Sequence, residues 1–220
     1  MKNRITPAAA AAMVPDGAVL MIGGFMGVGT PERIIDELVR LGRRDLTVIA
    51  NDTARPGVGI GKLIDARLVK KVVASHIGTN PETQRQMIAG DIAVDLIPQG
   101  SLAERIRSGG HGLGGVLTPT GLGTTAAEGK QVVEVNGRAW LVEEAMRADF
   151  ALVAAKRADY AGNLEYALTS RNFNPIMAMA ADTVIAEPQD IVPVGALTPD
   201  QIVTPHVVVD HLVGKEKRHG

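Results

Sequence analysis

The chain has no cysteine among its 220 residues. This excludes disulfides, thiolate metal sites and a cysteine nucleophile, and it suits a reducing compartment. Aromatic residues make up only 3%, so the core has to be packed with Val, Ile, Leu, Met and Ala. Neither sign of charge is in surplus: 23 Lys and Arg stand against 24 Asp and Glu, a formal net charge of -1. That balance gives no sign of nucleic acid or a membrane surface as a partner. No apolar run approaches the ~20 residues of a membrane span. The Ala-rich stretch after Lys2 and Arg4 is broken by Pro7 and Pro15, which leaves it short of a secretory leader. The cytoplasm is therefore the expected location. Glycine, by contrast, is plentiful and clustered, with 25 residues where an average near 7% is usual.

Short apolar runs alternate with helical patterns up to about residue 100. Ala18–Ile22 reads as a buried strand. A helix follows with Thr30 as N-cap, Pro31 in its first turn, Glu32 favourable to the dipole, and Ile34, Ile35, Leu38 and Leu41 as its apolar stripe. Gly42 is its natural stop. Leu46–Ala50 is a second strand, Val69–Ile77 contains a third, and Pro81–Ile88 is a helix closed by Gly90. Ile92–Ile97 is a fourth strand, turned at Pro98-Gln99-Gly100. A capping box, Ser101 to Glu104, opens a helix running to about Arg107. Strand and helix in this alternation predict an α/β fold with an open, mostly parallel, doubly wound sheet. Beyond it, residues 109–123 read as a glycine-rich loop and Lys130–Val142 as a β-hairpin turning at Asn136-Gly137. Strands at Phe150–Ala154 and Thr183–Ile185 flank a helix over Asn172–Ala180. With no linker and no internal repeat, residues 1–220 are expected to form one domain with a hairpin excursion.

Chemistry is suggested first by Gly23-Gly24-Phe25-Met26-Gly27-Val28-Gly29-Thr30, which joins the first strand to the first helix. Ligands of open α/β sheets sit beyond the carboxyl ends of the strands. A helix N-terminus there offers free N–H groups, and glycines let the backbone come close to an anion. The loop can thus cradle a phosphate, or it can simply be a tight turn that allows close packing. No Lys follows the last glycine, so it is not a P-loop. The order Gly24-x-x-Gly27-x-Gly29 is not the dinucleotide order either. Asp52 could imitate the ribose-binding acid of a nicotinamide site, or serve as a turn residue and local hydrogen-bond acceptor.

Six further segments widen the picture. The stretch from Asp16 to Pro31, DGAVLMIGGFMGVGTP, resembles the signature of the first subunit of class I coenzyme A transferases. IANDT at 49–53, SHIGTNPETQRQM at 75–87, PQGSLAERIR at 98–107, GLGGVLTPTGLGT at 112–124, EGK at 128–130 and SRNFNP at 170–175 resemble the same family in order, over nearly the whole chain. The wording is most similar to the acetate/acetoacetate branch; 3-oxoadipate and succinyl-CoA:3-oxoacid transferases are the alternatives within the family. The resemblance implies an open α/β sheet shared with some phosphosugar isomerases. It implies transfer of CoA from an acyl-CoA to a free carboxylate through a glutamyl-CoA thioester. The glutamate would belong to a partner β subunit, in an α2β2 assembly, leaving this chain incomplete alone. CoA would be a substrate, with no permanently bound cofactor and no metal.

The same resemblance assigns Gly24, Phe25, Met26, Gly27, Val28, Gly29 and Thr30 to CoA binding. Gln99 and Asn51, side-chain amides placed just after strands, are candidate donors to a thioester oxyanion. Read alone, Gln99 is equally a turn residue before Gly100, and Asn51 equally an Asn-Asp turn bonding its own backbone. Gly114 and Gly115 would face the partner's glutamate by resemblance, or only make the loop flexible. Arg171 could pair with a substrate carboxylate, hold its loop or meet a partner. His76 and His111 lack ligand spacing and read as solvated or core histidines. Met177 and Met179 read as helix-spaced core. A self-sufficient phosphosugar isomerase would need acid and base groups that do not stand out here. A pure binding module for a phosphorylated ligand is the reading from outside enzymology.

Overall fold

The computed structural model describes residues 1–214. Its first half alternates β1 (Asn3–Ile5), α1 (Pro7–Met13), β2 (Val19–Ile22), α2 (Glu32–Leu41), β3 (Leu46–Ile49), α3 (Gly61–Asp65), β4 (Val69–Ala74), α4 (Pro81–Ala89), β5 (Ala93–Leu96) and α5 (Gln99–Gly110). The second half holds β6 (Gly115–Thr118), β7 (Val132–Val135), β8 (Arg138–Glu144), β9 (Ala148–Asp159), β10 (Leu164–Glu165), α6 (Asn174–Met179), β11 (Ala181–Val192) and β12 (His211–Val213). The main sheet runs β1-β12-β11-β9-β2-β3-β4-β5, with β10 pairing on β9. Every pair along that path is parallel, and only β10 runs antiparallel.

The order has a functional consequence. From β2 the chain winds outward to β5, then returns to lay β9 on the other side of β2. The strand order reverses there, and loops leaving the two strands diverge to open a crevice at their carboxyl ends. The glycine loop leaves β2 at that crevice.

Strand periodicity sorts the core into two layers. Leu20, Ile22, Val48, Ala50, Val72 and Ala74 pack with Ile34, Ile35 and Leu38 of α2 on one face. Met21, Ile49, Val73, Ala151 and Val153 pack with Leu102 and Ile106 of α5 and Met177 of α6 on the other. Burial on both faces explains why these strands read as continuous apolar runs. Leu20 is fully buried, and its truncation to Ala would cost roughly 2–5 kcal/mol.

Several ends are set locally, and Gly42, Gly90 and the Asn136-Gly137 turn fall where the sequence places them. Asn80 caps α4, its Oδ1 accepting from Glu82 N and Thr83 N at 3.1 and 3.2 Å, and Gly90 closes the helix at φ 77. Gly42 closes α2 in the left-handed conformation. Asn136 and Gly137, at φ 54 and 71, make the turn between β7 and β8.

Three expectations need correction. Pro31, not Thr30, occupies the N-cap of α2, and no local side chain caps it. The freed amides go elsewhere: Arg33 N and Ile34 N donate to the Glu187 carboxylate at 3.2 and 2.9 Å. The helix α5 starts at Gln99, two residues before the expected capping serine, because Pro98 already sets the entry. Ser101 therefore lies inside the first turn, and its buried Oγ has no hydrogen-bond partner. The glycine-rich stretch is not wholly a loop, since α5 extends through Gly110 and β6 begins at Gly115. The strand β6 pairs with β8, so the hairpin excursion becomes a three-stranded antiparallel sheet. No helix among the described residues is long and apolar enough to cross a membrane.

Candidate active site

The glycine loop is a small closed structure. Phe25 and Val28 exchange backbone hydrogen bonds at 3.0 and 2.9 Å, with Met26 at φ 53 and Gly27 at φ 89 turning between them. Phe25 and Val28 are 45% and 51% exposed, so the loop presents apolar side chains outward. Gly24 is required sterically: at φ +129, a Cβ there would lie 2.0 Å from Thr30 Oγ1.

Side chains from distant segments hold this loop. Asn172 Oδ1 accepts from Gly24 N at 3.1 Å, and Asn172 Nδ2 donates to Val28 O at 2.9 Å. Asn174 Nδ2 donates to Gly29 O at 2.9 Å, while its Oδ1 accepts from Ala154 N of β9 at 3.0 Å. The segment SRNFNP thus acts as a staple on the loop after β2. Met26 N donates to Asp52 Oδ2 at 2.9 Å.

These bonds bear on the cradle expectation. The amides of Gly24, Phe25, Met26 and Val28 all donate within the chain, and Glu187 fills the N-terminus of α2. Those four amides are engaged, and the loop offers apolar contact through the exposed Phe25 and Val28.

Beside it, β3 and β5 deliver the two amides singled out in the sequence, and they touch. Gln99 Nε2 donates to Asn51 Oδ1 at 2.5 Å, which also accepts from Ser75 Oγ at 3.1 Å. Asn51 Nδ2 donates to Asp52 Oδ2 at 2.7 Å, and Asp52 Oδ1 accepts from Ala54 N at 2.7 Å. Asn51 is 2% exposed and is engaged at both ends, Oδ1 by Gln99 and Ser75 and Nδ2 by Asp52. Gln99 is exposed at the first turn of α5.

Other sequence candidates lie apart. Gly114 and Gly115 follow the far end of α5, whose 12 residues span about 18 Å at 1.5 Å per residue. A Cβ on Gly115 would lie 2.4 Å from Glu143 O, whereas one on Gly114 would meet nothing within 4 Å. Gly115 is therefore explained by the close approach of β6 to β8, and Gly114 is not explained by packing. Arg171 is exposed and makes no ion pair with another described residue. His76 and His111 are exposed, and His111 Nδ1 lies 2.7 Å from Arg107 O. Among the described residues no cluster of His, Cys, Asp or Glu could hold a metal ion.

On the β9 side of the crevice a cavity of about 660 Å³ is lined by Val28, Gly29, Thr30, Arg33, Lys156 and Glu187, among others. The loop therefore stands between this cavity and the Gln99–Asn51–Asp52 chain.

Comparison with known proteins settles the family. The coenzyme A transferase family profile matches residues 4–215. The chain belongs to the coenzyme A transferase family. It is 57% identical over 198 residues to the acetate CoA-transferase subunit alpha of Escherichia coli K12, covering 90% of each chain. It is 49% identical over 198 residues to the alpha subunit of the acetoacetyl-CoA:acetate/butyrate CoA transferase of Clostridium acetobutylicum, covering 90% of this chain and 91% of that one. In fold it matches an acyl-CoA transferase of Escherichia coli O157:H7, with a TM-score of 0.86 at 22% identity. The match covers 96% of this chain and 47% of that one, so this transferase chain spans about half of the solved protein.

Sequence reasoning missed the residues that hold the glycine loop and the candidate site beside it. Glu187 sits in a strand that the sequence showed only at Thr183–Ile185. Asp52 was legible as an acceptor through its Asx-type bond to Ala54, but its reach to Met26 joins segments 26 residues apart. Asn172 and Asn174 carried a signal, because SRNFNP resembled the family, yet nothing local showed what they hold.

Proposed function

We propose that this chain is the α-type subunit of a CoA-transferase that exchanges CoA between a short-chain acyl-CoA and a free carboxylate in the cytoplasm. The relatives named for acetate, acetoacetyl-CoA and butyrate support acids of that size. The attacking carboxylate belongs to a partner β subunit. A partner glutamate adds to the thioester carbonyl, CoA thiolate leaves, and an acyl-glutamyl anhydride forms. The thiolate then attacks the glutamyl carbonyl, which releases the acyl group as a carboxylate and leaves a glutamyl-CoA thioester. An incoming acid reverses both steps.

The observation that carries this reading is the hydrogen-bonded chain from Asp52 through Asn51 to Gln99. It fixes one amide N–H of Gln99 inward and leaves the second to meet the developing oxyanion. A neutral amide suits this position, because it does not exchange protons with a nearby carboxylate. The carboxylate beside it, Asp52, is 4% exposed and already accepts from Met26 N, Ala54 N and Asn51 Nδ2. It is thereby unsuited to attack, and a nucleophile from another chain completes the site. The loop Gly24–Thr30 offers Phe25 and Val28 to the CoA chain.

The test is Gln99→Ala in the two-chain enzyme. Loss of one oxyanion donor lowers kcat by roughly 10²–10³-fold with the partner still bound. A variant that turns over at the native rate removes Gln99 from the reaction.

A further inference from the structure

Asp52 matters for a reason separate from binding or attack. An ionised carboxylate can only accept hydrogen bonds, whereas a carboxamide can present either its NH₂ or its oxygen to a neighbour. Asn51 lies between Asp52 and Gln99, and its two ends are therefore not equivalent. Facing a carboxylate, it has to turn Nδ2 toward Asp52, which puts Oδ1 toward Gln99 and Ser75. Gln99 in turn has to present Nε2 to that oxygen. The polarity of three side chains follows from one negative group at the base. The base itself is fixed by two backbone amides, Met26 N from the glycine loop and Ala54 N after β3. The base of the chain is buried, with Asn51 and Asp52 at 2% and 4% exposure, so water has little access to the bond between them, while Gln99 at the top is exposed.

We infer that Asp52 is a positioning residue that sets the amide orientation of Gln99 through Asn51, keeping an N–H rather than an oxygen at the place where thioester charge develops. This rests on the oxyanion role of Gln99 proposed above. With the chain reversed, Gln99 would put a lone pair against the oxyanion, and stabilisation would become repulsion.

The near-isosteric Asp52→Asn substitution removes the fixed polarity, and with it one of the acceptors offered to Met26 N. It is measured in the two-chain enzyme alone and combined with Gln99→Ala, as a double-mutant cycle. Asp52→Asn alone should lower kcat and kcat/KM together by about 10²-fold, as expected when an interaction made only in the transition state is lost. In the Gln99→Ala background it should add almost no further loss. Equal losses in both backgrounds would overturn the inference, because Asp52 would then act independently of Gln99. A native rate for Gln99→Ala itself would instead defeat the oxyanion reading. If Asp52→Asn does not assemble with the partner, Asn51→Ala cuts the same chain one residue later. The same cycle then decides, with a loss that vanishes in the Gln99→Ala background expected and a background-independent loss refuting.

Discussion

Replacing Glu187 by alanine tests how the N-terminus of α2 is stabilised. Its carboxylate accepts from Arg33 N and Ile34 N at 3.2 and 2.9 Å, and no local side chain takes that place. Loss of a helix cap costs roughly 0.5–2 kcal/mol, and hydrogen bonds to a charged group are worth about 1.5–3 kcal/mol. The Arg33 Nε contact at 3.3 Å involves a side chain 35% exposed, so solvent screening limits it to less than about 1 kcal/mol. The backbone bonds dominate, and a total near 3 kcal/mol follows. For a chain of this size that corresponds to a fall in Tm of about 6–12 °C. Glu187→Gln keeps one acceptor oxygen and loses the charge, and should fall about half as far. Thermal denaturation followed by far-UV circular dichroism measures both. A second readout separates this account from the anion-cradle reading: added phosphate should raise the Tm of Glu187→Ala and leave the native protein unmoved. An alanine variant with native Tm would refute the capping role, and stabilisation of the native protein by phosphate would show that the amides were free after all.

Two glycines that look alike in sequence should behave differently. Gly115→Ala forces a Cβ to 2.4 Å from the Glu143 carbonyl and should destabilise by roughly 1–3 kcal/mol, seen in urea denaturation. Gly114→Ala meets nothing, so its Tm should be native, while turnover in the two-chain enzyme falls; unchanged turnover removes Gly114 from the site. Acid stability should depend on Glu165, whose carboxyl the Arg157 guanidinium holds below the usual 4.5. A depressed folded-state pKa gives stability that is complete above the unfolded value and is lost as pH falls through the folded one. The Tm gap between native protein and Glu165→Gln should thus hold steady from neutral pH to about 5 and close below it; a gap that widens in acid contradicts the pairing.

The fold was legible where one segment decides its own structure. Pro81 and Gly90 mark the two ends of α4, and buried branched residues mark β2 to β4, because both faces of a parallel sheet are covered. Legibility failed where the deciding partner is far along the chain. Glu187 caps a helix that begins 155 residues earlier by the numbering of Glu32, and no local pattern at Thr30 could show it. The strands β9 and β11 are 12 residues each, longer than their apolar stretches, since each pairs with the other along its length. Gln99 and Asn51 were both singled out as candidates, but as equivalents. Only the structure shows that they touch, and that Asn51 is held in turn by the carboxylate of Asp52.

The central claim is that the attacking carboxylate is supplied by a second polypeptide. Borohydride reduction of the two-chain enzyme after exposure to acetoacetyl-CoA, followed by peptide mapping, measures this directly. The reduced glutamate should be recovered on the partner, with none of this chain's carboxylates modified and no turnover by this chain alone. A reduced residue on this chain, or full acyl-CoA turnover without the partner, would contradict the account.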